Sequence, residues 1–168
     1  MSEFTHVDKN GRVRMVDVTQ KKASLRQAEA QAVVCMQPET LERITQHQVK
    51  KGNVLETARI AGIMAAKNTA ALIPMCHPLN ITHAKIDFFP DLQASTIRIQ
   101  SAISLVGQTG VEMEALTAVS VAALTVYDMC KSFDKNISIS NVWLQRKSGG
   151  KSGDFVRERD SEGNALCS

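Results

Sequence analysis

Residues 115–127 read ALTAVSVAALTVY, thirteen positions without a charged side chain. The stretch favours one long helix, which we place at residues 111–132. A helix that is apolar on all sides is expected to be buried on all sides. When helices cover one face of a sheet, their outer sides meet water, so a further surface must cover this helix. We therefore predict a homo-oligomer, with a central helix covered by the N-terminal segment as the alternative.

The elements around this helix complete an α+β pattern. Asn53, with Glu56 three residues later, is typical of a capping box at the start of a helix. The order β-α-α-β-β-α-β matches the ferredoxin-like split βαβ fold, in which helices pack on one face of an antiparallel sheet. We expect strands at residues 32–36, 81–89, 95–104 and 137–144, a possible short strand at residues 13–18, and helices at residues 38–47 and 54–67.

Composition limits the class of protein. A chain of 168 residues suits one domain over residues 1–168, with a polar N-terminal segment at 1–22 and a flexible tail at 155–168. The net charge is only +3 and aromatic residues make up 4%, so nucleic-acid binding is not expected. We find no signal-peptide pattern and no apolar run near the ~20 residues that a bilayer needs, which predicts a cytoplasmic protein without a membrane segment. The cysteines lack metal-binding spacing and are expected to be free thiols.

Charged residues lie at both ends of the long helix. Glu112 and Glu114 fall in its first turn, where the helix dipole favours carboxylates, and Lys131 falls in its last turn, where the dipole favours a cation. Asp128 opposes the dipole, but it lies three residues before Lys131 and can pair with it on one helix face. The pair is either a structural ion pair or part of a site, and the pattern leaves both open.

Two further groups of lysines stand out. Lys50 and Lys51 precede the helix at 54–67, where the dipole disfavours cations. This placement suits a bound anion, with two solvated loop lysines as the alternative. Residues 146–154 read RKSGGKSGD, and their glycines together with Lys147 and Lys151 suit a phosphate, with a mobile hinge as the alternative. A P-loop is excluded, because its first glycine is missing and no helix follows.

Cys76 and His77 are adjacent, between two prolines. Neighbouring residues of an extended segment point to opposite sides, so the two are not expected to bind one metal ion. No nearby cysteine or histidine completes a ligand set. We interpret His77 instead as a hydrogen-bonding or acid–base group.

Five longer strings resemble signatures of the cyclic pyranopterin monophosphate synthase family, in the right order and over about residues 5–154. They are KGNVLETARIAGI (51–63), LIPMCHPL (72–79), TGVEMEALTA (109–118), YDMCK (127–131) and KSGGKSGD (147–154). The resemblance implies a phosphorus–oxygen lyase of molybdenum cofactor biosynthesis. Its substrate would be 3′,8-cyclo-7,8-dihydroguanosine 5′-triphosphate, and its products cyclic pyranopterin monophosphate and pyrophosphate. The resemblance also implies a ferredoxin-like fold and a homohexamer, a trimer of dimers, with sites at subunit interfaces.

The same resemblance implies roles for single residues. Lys51 and Lys131 are the candidates for proton transfer, and Asp128 would hold Lys131 and take part in catalysis. Lysines beside an oligoanion can both stabilise charge and transfer protons. The substrate-binding set comprises Asp17, Arg26, Met75, Cys76, His77, Glu112, Met113, Glu114 and Lys147, with Arg26 and Lys147 expected on the triphosphate. Asn53 departs from the family pattern, which commonly has an acidic residue, and this removes a negative charge beside Lys51.

The expected partners are a nucleotide-derived triphosphate and further copies of the chain, without nucleic acid or membrane. No cofactor is expected. A magnesium ion with the substrate phosphates is compatible with this chemistry, but no sequence motif requires one. A competing function is a binding module that captures nucleotides or RNA through the same lysines, without turnover and with strong salt dependence for RNA. A family member that has lost its activity is a second alternative, which only an assay excludes.

Overall fold

The computed structural model describes residues 10–151 and 153–158. Its elements are β1 (Ser24–Cys35), α1 (Pro38–Thr45), α2 (Val54–Lys67), α3 (Thr69–Leu72), β2 (His83–Asp91), β3 (Thr96–Gly107), α4 (Glu112–Cys130), β4 (Ser138–Ser148) and β5 (Phe155–Val156). All strands form one antiparallel sheet in the order β2-β3-β1-β4-β5. β3 lies between β1 and β2, and β1 lies between β3 and β4, which is the split βαβ arrangement. The predicted fold class, α+β with a ferredoxin-like sheet, is confirmed.

The core lies between this sheet and the helices. α4 packs on β1, β3 and β4, while α2 packs beside α4 and on β2. Alternate residues of β1 point towards the helices, and from Ala28 to Val34 they are small or branched apolar side chains. Gly62 of α2 sets the distance between the two long helices, because a Cβ there would overlap Ile86 and come within 2.8 Å of the Ala118 carbonyl oxygen. α4 therefore lies along the middle of the sheet, and its two ends lie near opposite ends of the central strands.

Two strand predictions need correction. β1 begins eight residues earlier than predicted. The prediction missed these residues because the inward positions are Arg26, Ala28 and Ala30, which are not strong strand formers. In residues 13–18 only Val13 makes a single bridge, so the short strand expected there is absent. Val13 is 69% exposed, and no packing holds this segment as a strand.

Three further expectations, on the C-terminal tail, the cysteines and the membrane, can be compared with the structure. Phe155–Val156 pairs with β4, so the flexible tail predicted from residue 155 is corrected at these two residues. Cys35 is disulfide-bonded, which makes the expectation of free thiols wrong there, whereas Cys76 and Cys130 are free. By length and composition α4 is apolar enough to cross a membrane, with a mean hydropathy of 1.3, but 56% of that window is buried in the fold. Core helices of soluble proteins share this property.

Candidate active site

The predicted site residues gather at the two ends of α4. We call Lys51, Asp128 and Lys131 the carboxyl-end cluster, since they lie where α4 ends and α2 begins. The amino-end cluster lies where α4 begins, and it comprises Asp17, Arg26, Cys76, Glu112, Glu114 and Lys147. Strand register explains the second grouping, because the start of β1 pairs with the ends of β3 and β4 at this edge.

Asp128 holds both lysines of the carboxyl-end cluster. Its Oδ1 lies 2.7 Å from Lys131 Nζ, so the pairing predicted from the spacing of these two residues is confirmed. Lys51 Nζ donates to the main-chain oxygen of Asp128 at 2.8 Å and lies 4.0 Å from its Oδ2. The Asn53 side chain accepts from the Glu56 N–H at 3.1 Å, which confirms the predicted cap and starts α2 two residues after Lys51.

These contacts set the charges of the carboxyl-end cluster. The hydrogen bond and charge of Lys131, with the charge of Lys51, hold the pKa of Asp128 below its usual value. The same hydrogen bond raises the pKa of Lys131, which therefore carries a proton at neutral pH. Burial raises the pKa of the neighbouring Cys130 thiol to about 11, so this thiol is protonated as well. The cluster thus offers a proton donor held by an ionised carboxylate.

Asp134 supports the carboxyl-end cluster and was missed by the sequence predictions. It is only 4% exposed and lies three residues after Lys131. Its Oδ2 accepts from the Gln37 N–H at 3.0 Å and from the Thr40 hydroxyl at 2.9 Å, and its Oδ1 accepts from the Asn136 N–H at 3.0 Å. The buried carboxylate therefore ties the turn after α4 to the start of α1. The only local signal was Asn136 two residues later, which is a common turn pattern.

Arg26 is the most enclosed cation of the amino-end cluster. It is 9% exposed, its Nε donates to the Gly107 oxygen at 3.2 Å, and its Nη2 donates to the Gln108 oxygen at 3.3 Å. The turn after β4 lies directly against it, since a Cβ on Gly150 would overlap the guanidinium. Arg26 therefore fixes this edge of the sheet as well as offering charge to a ligand.

Lys147 and Asp17 occupy more open positions nearby. Lys147 Nζ pairs with Glu112 Oε1 at 3.1 Å. Asp17 Oδ1 accepts from the Thr19 N–H at 2.9 Å, and hydrogen bonding from Thr19 lowers the pKa of this carboxyl. The segment of residues 17–19 contacts the edge of the amino-end cluster through Gln108, whose side chain donates to the Thr19 oxygen at 3.5 Å. Asp17 is thus linked to the amino-end cluster indirectly, through Thr19 and Gln108.

A cavity of about 470 Å³ opens beside Glu114 and is also lined by residues 66–71 and 78–80. Glu114 is 3% exposed, and burial, with a smaller contribution from Glu112, raises its pKa. Burial also raises the pKa of Cys76, and the charge of Glu114 adds to this rise. The remaining predicted pocket residues adjoin these two along the chain: Met75, His77 and Met113.

The two clusters do not meet within one chain. Glu112 and Asp128 are sixteen positions apart on α4, which at 1.5 Å per residue separates their backbones by about 24 Å. The structure therefore brings the predicted catalytic residues together and the predicted binding residues together, but at opposite ends of one helix. Across residues 10–151 and 153–158, no group of three or more His, Cys, Asp or Glu side chains could hold a metal ion.

Comparison with known proteins identifies the family. The sequence model of the MoaC family matches residues 15–150. A cyclic pyranopterin monophosphate synthase of Desulforapulum autotrophicum is 62% identical, and the aligned region covers 95% of this chain and 98% of that protein. The proteins of the same name from Desulfatibacillum aliphaticivorans and Roseiflexus sp. are 60% and 57% identical, with 94% of this chain and 99% and 100% of theirs covered. The resemblance seen in the sequence is thus confirmed, and the chain belongs to the MoaC family.

Proposed function

We propose that this chain is a lyase that converts 3′,8-cyclo-7,8-dihydroguanosine 5′-triphosphate into cyclic pyranopterin monophosphate and pyrophosphate, in molybdenum cofactor biosynthesis. Its relatives carry the name of this activity over nearly their full length. The observation that carries the proposal is the carboxyl-end cluster, in which one aspartate holds two lysines from distant parts of the chain. Family membership supports this reaction, and the geometry of the cluster is compatible with its need for proton donors and positive charge.

The carboxyl-end cluster supplies proton transfer and positive charge. Rearranging the purine-derived ring needs repeated proton transfers, for which Lys131 is the donor and Asp128 keeps it protonated and in place. To form the cyclic phosphate, a substrate hydroxyl oxygen bonds to the α-phosphorus and its proton passes to a base. The bond from that phosphorus to the bridging oxygen breaks, and its electron pair leaves with pyrophosphate. Lys51 would stabilise the charge that develops on the phosphates.

The amino-end cluster would bind the substrate. Arg26 and Lys147 are the proposed triphosphate contacts, and Lys147 would exchange Glu112 for a phosphate when substrate enters. The cavity beside Glu114 would hold the ring system, and Cys76 and His77 directly precede Pro78 of its lining. The lysines already supply cations and proton donors, so no resident cofactor is proposed. A magnesium ion bound to the substrate phosphates is compatible with this proposal but is not required by any motif.

We infer that each complete site combines the carboxyl-end cluster of one copy with the amino-end cluster of another. The separation of about 24 Å along α4 keeps the two clusters of one chain apart. The outer sides of α2 and α4 also leave apolar side chains uncovered, with Ile60, Met64 and Leu124 at 59%, 57% and 57% exposure. These features support an assembly of more than one copy. The homohexamer, a trimer of dimers, and the cytoplasmic location are proposed from the family resemblance.

The test is release of pyrophosphate from authentic substrate by the purified full chain. Lys51→Ala should abolish turnover and leave the oligomer intact by light scattering. Lys135→Ala, which removes an exposed lysine outside both clusters, is the matched control and should keep full activity. A folded oligomer that binds the substrate without releasing pyrophosphate would contradict the proposal and favour a binding module or an inactive family member.

A further inference from the structure

A second cavity, of about 270 Å³, lies beside the carboxyl-end cluster. Three cations line it, Arg43, Lys50 and Lys51, and only Lys51 has a role in the reaction proposed above. None of its lining residues is a carboxylate, although Asp128 pairs with Lys51 from outside the lining. Three like charges around one cleft repel each other, so the arrangement favours a bound anion.

The cleft is built by α1, the turn before α2 and the turn after α4. Arg43 lies on α1, and its guanidinium carbon is 5.3 Å from the centroid of the Phe133 ring, which orients it by a cation–π contact. The Gln48 N–H donates to the Arg43 oxygen at 2.8 Å, and the Gly52 N–H donates to the Val49 oxygen at 3.0 Å. These bonds fix the turn that carries Lys50 and Lys51 against α1.

The chemistry of the lining suits an oligophosphate. A guanidinium offers a planar fork for two phosphate oxygens, and two ammonium groups add charge without that geometry. Gln48 and Ser132 add neutral hydrogen-bonding groups to the same lining. A water molecule takes about 30 Å³ of liquid volume, so the cleft has room for a small oligoanion together with part of its hydration.

We propose that this cleft binds pyrophosphate as it leaves the reacting end of the site. The assignment rests on the proposed function, which makes pyrophosphate a product. Lys51 belongs both to the carboxyl-end cluster and to the cleft, so a departing pyrophosphate can keep this cation while it gains Arg43 and Lys50. Arg43 and Lys50 therefore hold the product rather than take part in proton transfer.

The experiment is calorimetric titration of inorganic pyrophosphate into the full chain, at fixed low ionic strength because salt screens such contacts. Arg43→Ala should weaken binding at least about tenfold, as expected for the loss of a charge-assisted hydrogen bond. Arg43→Lys keeps the charge but loses the fork, and it should weaken binding to a smaller extent. Lys85→Ala, which removes a cation paired with Asp87 on β2, is the matched control and should bind as the unaltered chain does.

Three outcomes would overturn the cleft assignment: no pyrophosphate binding by the unaltered chain, unchanged binding by Arg43→Ala and Lys50→Ala, or binding lost only in Lys147→Ala. The last would place pyrophosphate at the amino-end cluster. Because the titration needs no turnover, it separates the two proposals. Pyrophosphate binding that depends on Arg43 without any pyrophosphate release from substrate would contradict the proposed function, whereas release with Arg43-independent binding would contradict the cleft alone.

Discussion

Asp128 presents two different acceptors to two lysines. Its carboxylate pairs with Lys131, while its main-chain oxygen accepts a hydrogen bond from Lys51. A substitution of the Asp128 side chain can therefore act on Lys131 and leave the main-chain contact of Lys51 in place. Such a substitution therefore acts mainly on Lys131, because Lys51 loses only a charge contact at 4.0 Å and keeps its main-chain hydrogen bond.

Asp128→Asn should lower the pKa of Lys131 towards its ordinary value, because the ionic hydrogen bond and the charge that raise it are lost. Turnover should fall roughly a hundredfold, the order of magnitude of a positioned acid–base group. Nuclear magnetic resonance titration of the lysine side chains and pyrophosphate release measure the two effects. An unchanged Lys131 titration would show that Asp128 does not set the charge of this lysine.

Glu114 makes the stability of the fold depend on pH. Burial raises its pKa, so the folded chain holds this proton more tightly than the unfolded chain. Glu114 therefore contributes most to the free energy of unfolding below about pH 4.3, the ordinary glutamate pKa. This contribution is lost as pH rises from that value through the raised pKa of the folded state. Glu114→Gln should increase the melting temperature at pH 7 and have less effect towards pH 4. Parallel melting curves across this range would contradict the assignment.

At the scale of elements, the turn after β4 combines backbone strain with close packing. Gly150 has a φ of 88° and lies against Arg26, whereas Gly153 has a φ of 67° and open space where a Cβ would lie. Alanine at either position should cost about 1–2 kcal/mol of stability, since both would adopt a left-handed conformation. Only Gly150→Ala also displaces Arg26.

Gly150→Ala should therefore raise the KM for substrate roughly tenfold beyond any change in Gly153→Ala, as expected when a charged contact is lost. Steady-state pyrophosphate release, with thermal melting of both variants, makes the comparison. Equal KM values in the two variants would mean that Arg26 does not contact the substrate.

Local signals predicted α2 better than β1, and they missed the short helix α3. The caps and apolar spacing placed α2 within its observed bounds, Val54–Lys67, because a helix is built from neighbours along the chain. β1 was mostly missed, since its inward positions carry alanines and Arg26 and are buried only through pairing with β3 and β4. A strand of this kind owes its burial to distant partners that no local pattern contains.

The same distinction applies to the candidate site. The contact between Asp128 and Lys131 follows from their helical spacing. The contact of Lys51 with Asp128 spans 77 positions, and only the family resemblance put these residues in one site. Asp134 was missed for the same reason, because its partners Gln37 and Thr40, at the start of α1, are more than 90 positions away.

At the scale of the whole molecule, the two clusters allow a test with mixed subunits. Lys51→Ala disables the carboxyl-end cluster and Lys147→Ala the amino-end cluster. In a twofold pair that contains one copy of each, one site has both defects and the other has none. A co-refolded equal mixture should regain about a quarter of the unaltered activity, since half of the pairs are mixed and each has one intact site.

Mixing Lys51→Ala with Asp128→Ala is the control for this experiment. Both changes lie in the carboxyl-end cluster, so every site in every pair is defective and no activity should return. If the first mixture also stays inactive while its subunits exchange, each site is contained in one chain and the two-copy arrangement is wrong.

The length of α4 also has a consequence for the rate law. When a complete site needs two copies, a solitary chain has all the required groups but cannot turn over substrate. At concentrations well below the dissociation constant of the pair, active sites therefore increase with the square of the chain concentration. Turnover per chain should fall on dilution and recover on concentration, so the rate of this reaction depends on assembly as well as on substrate.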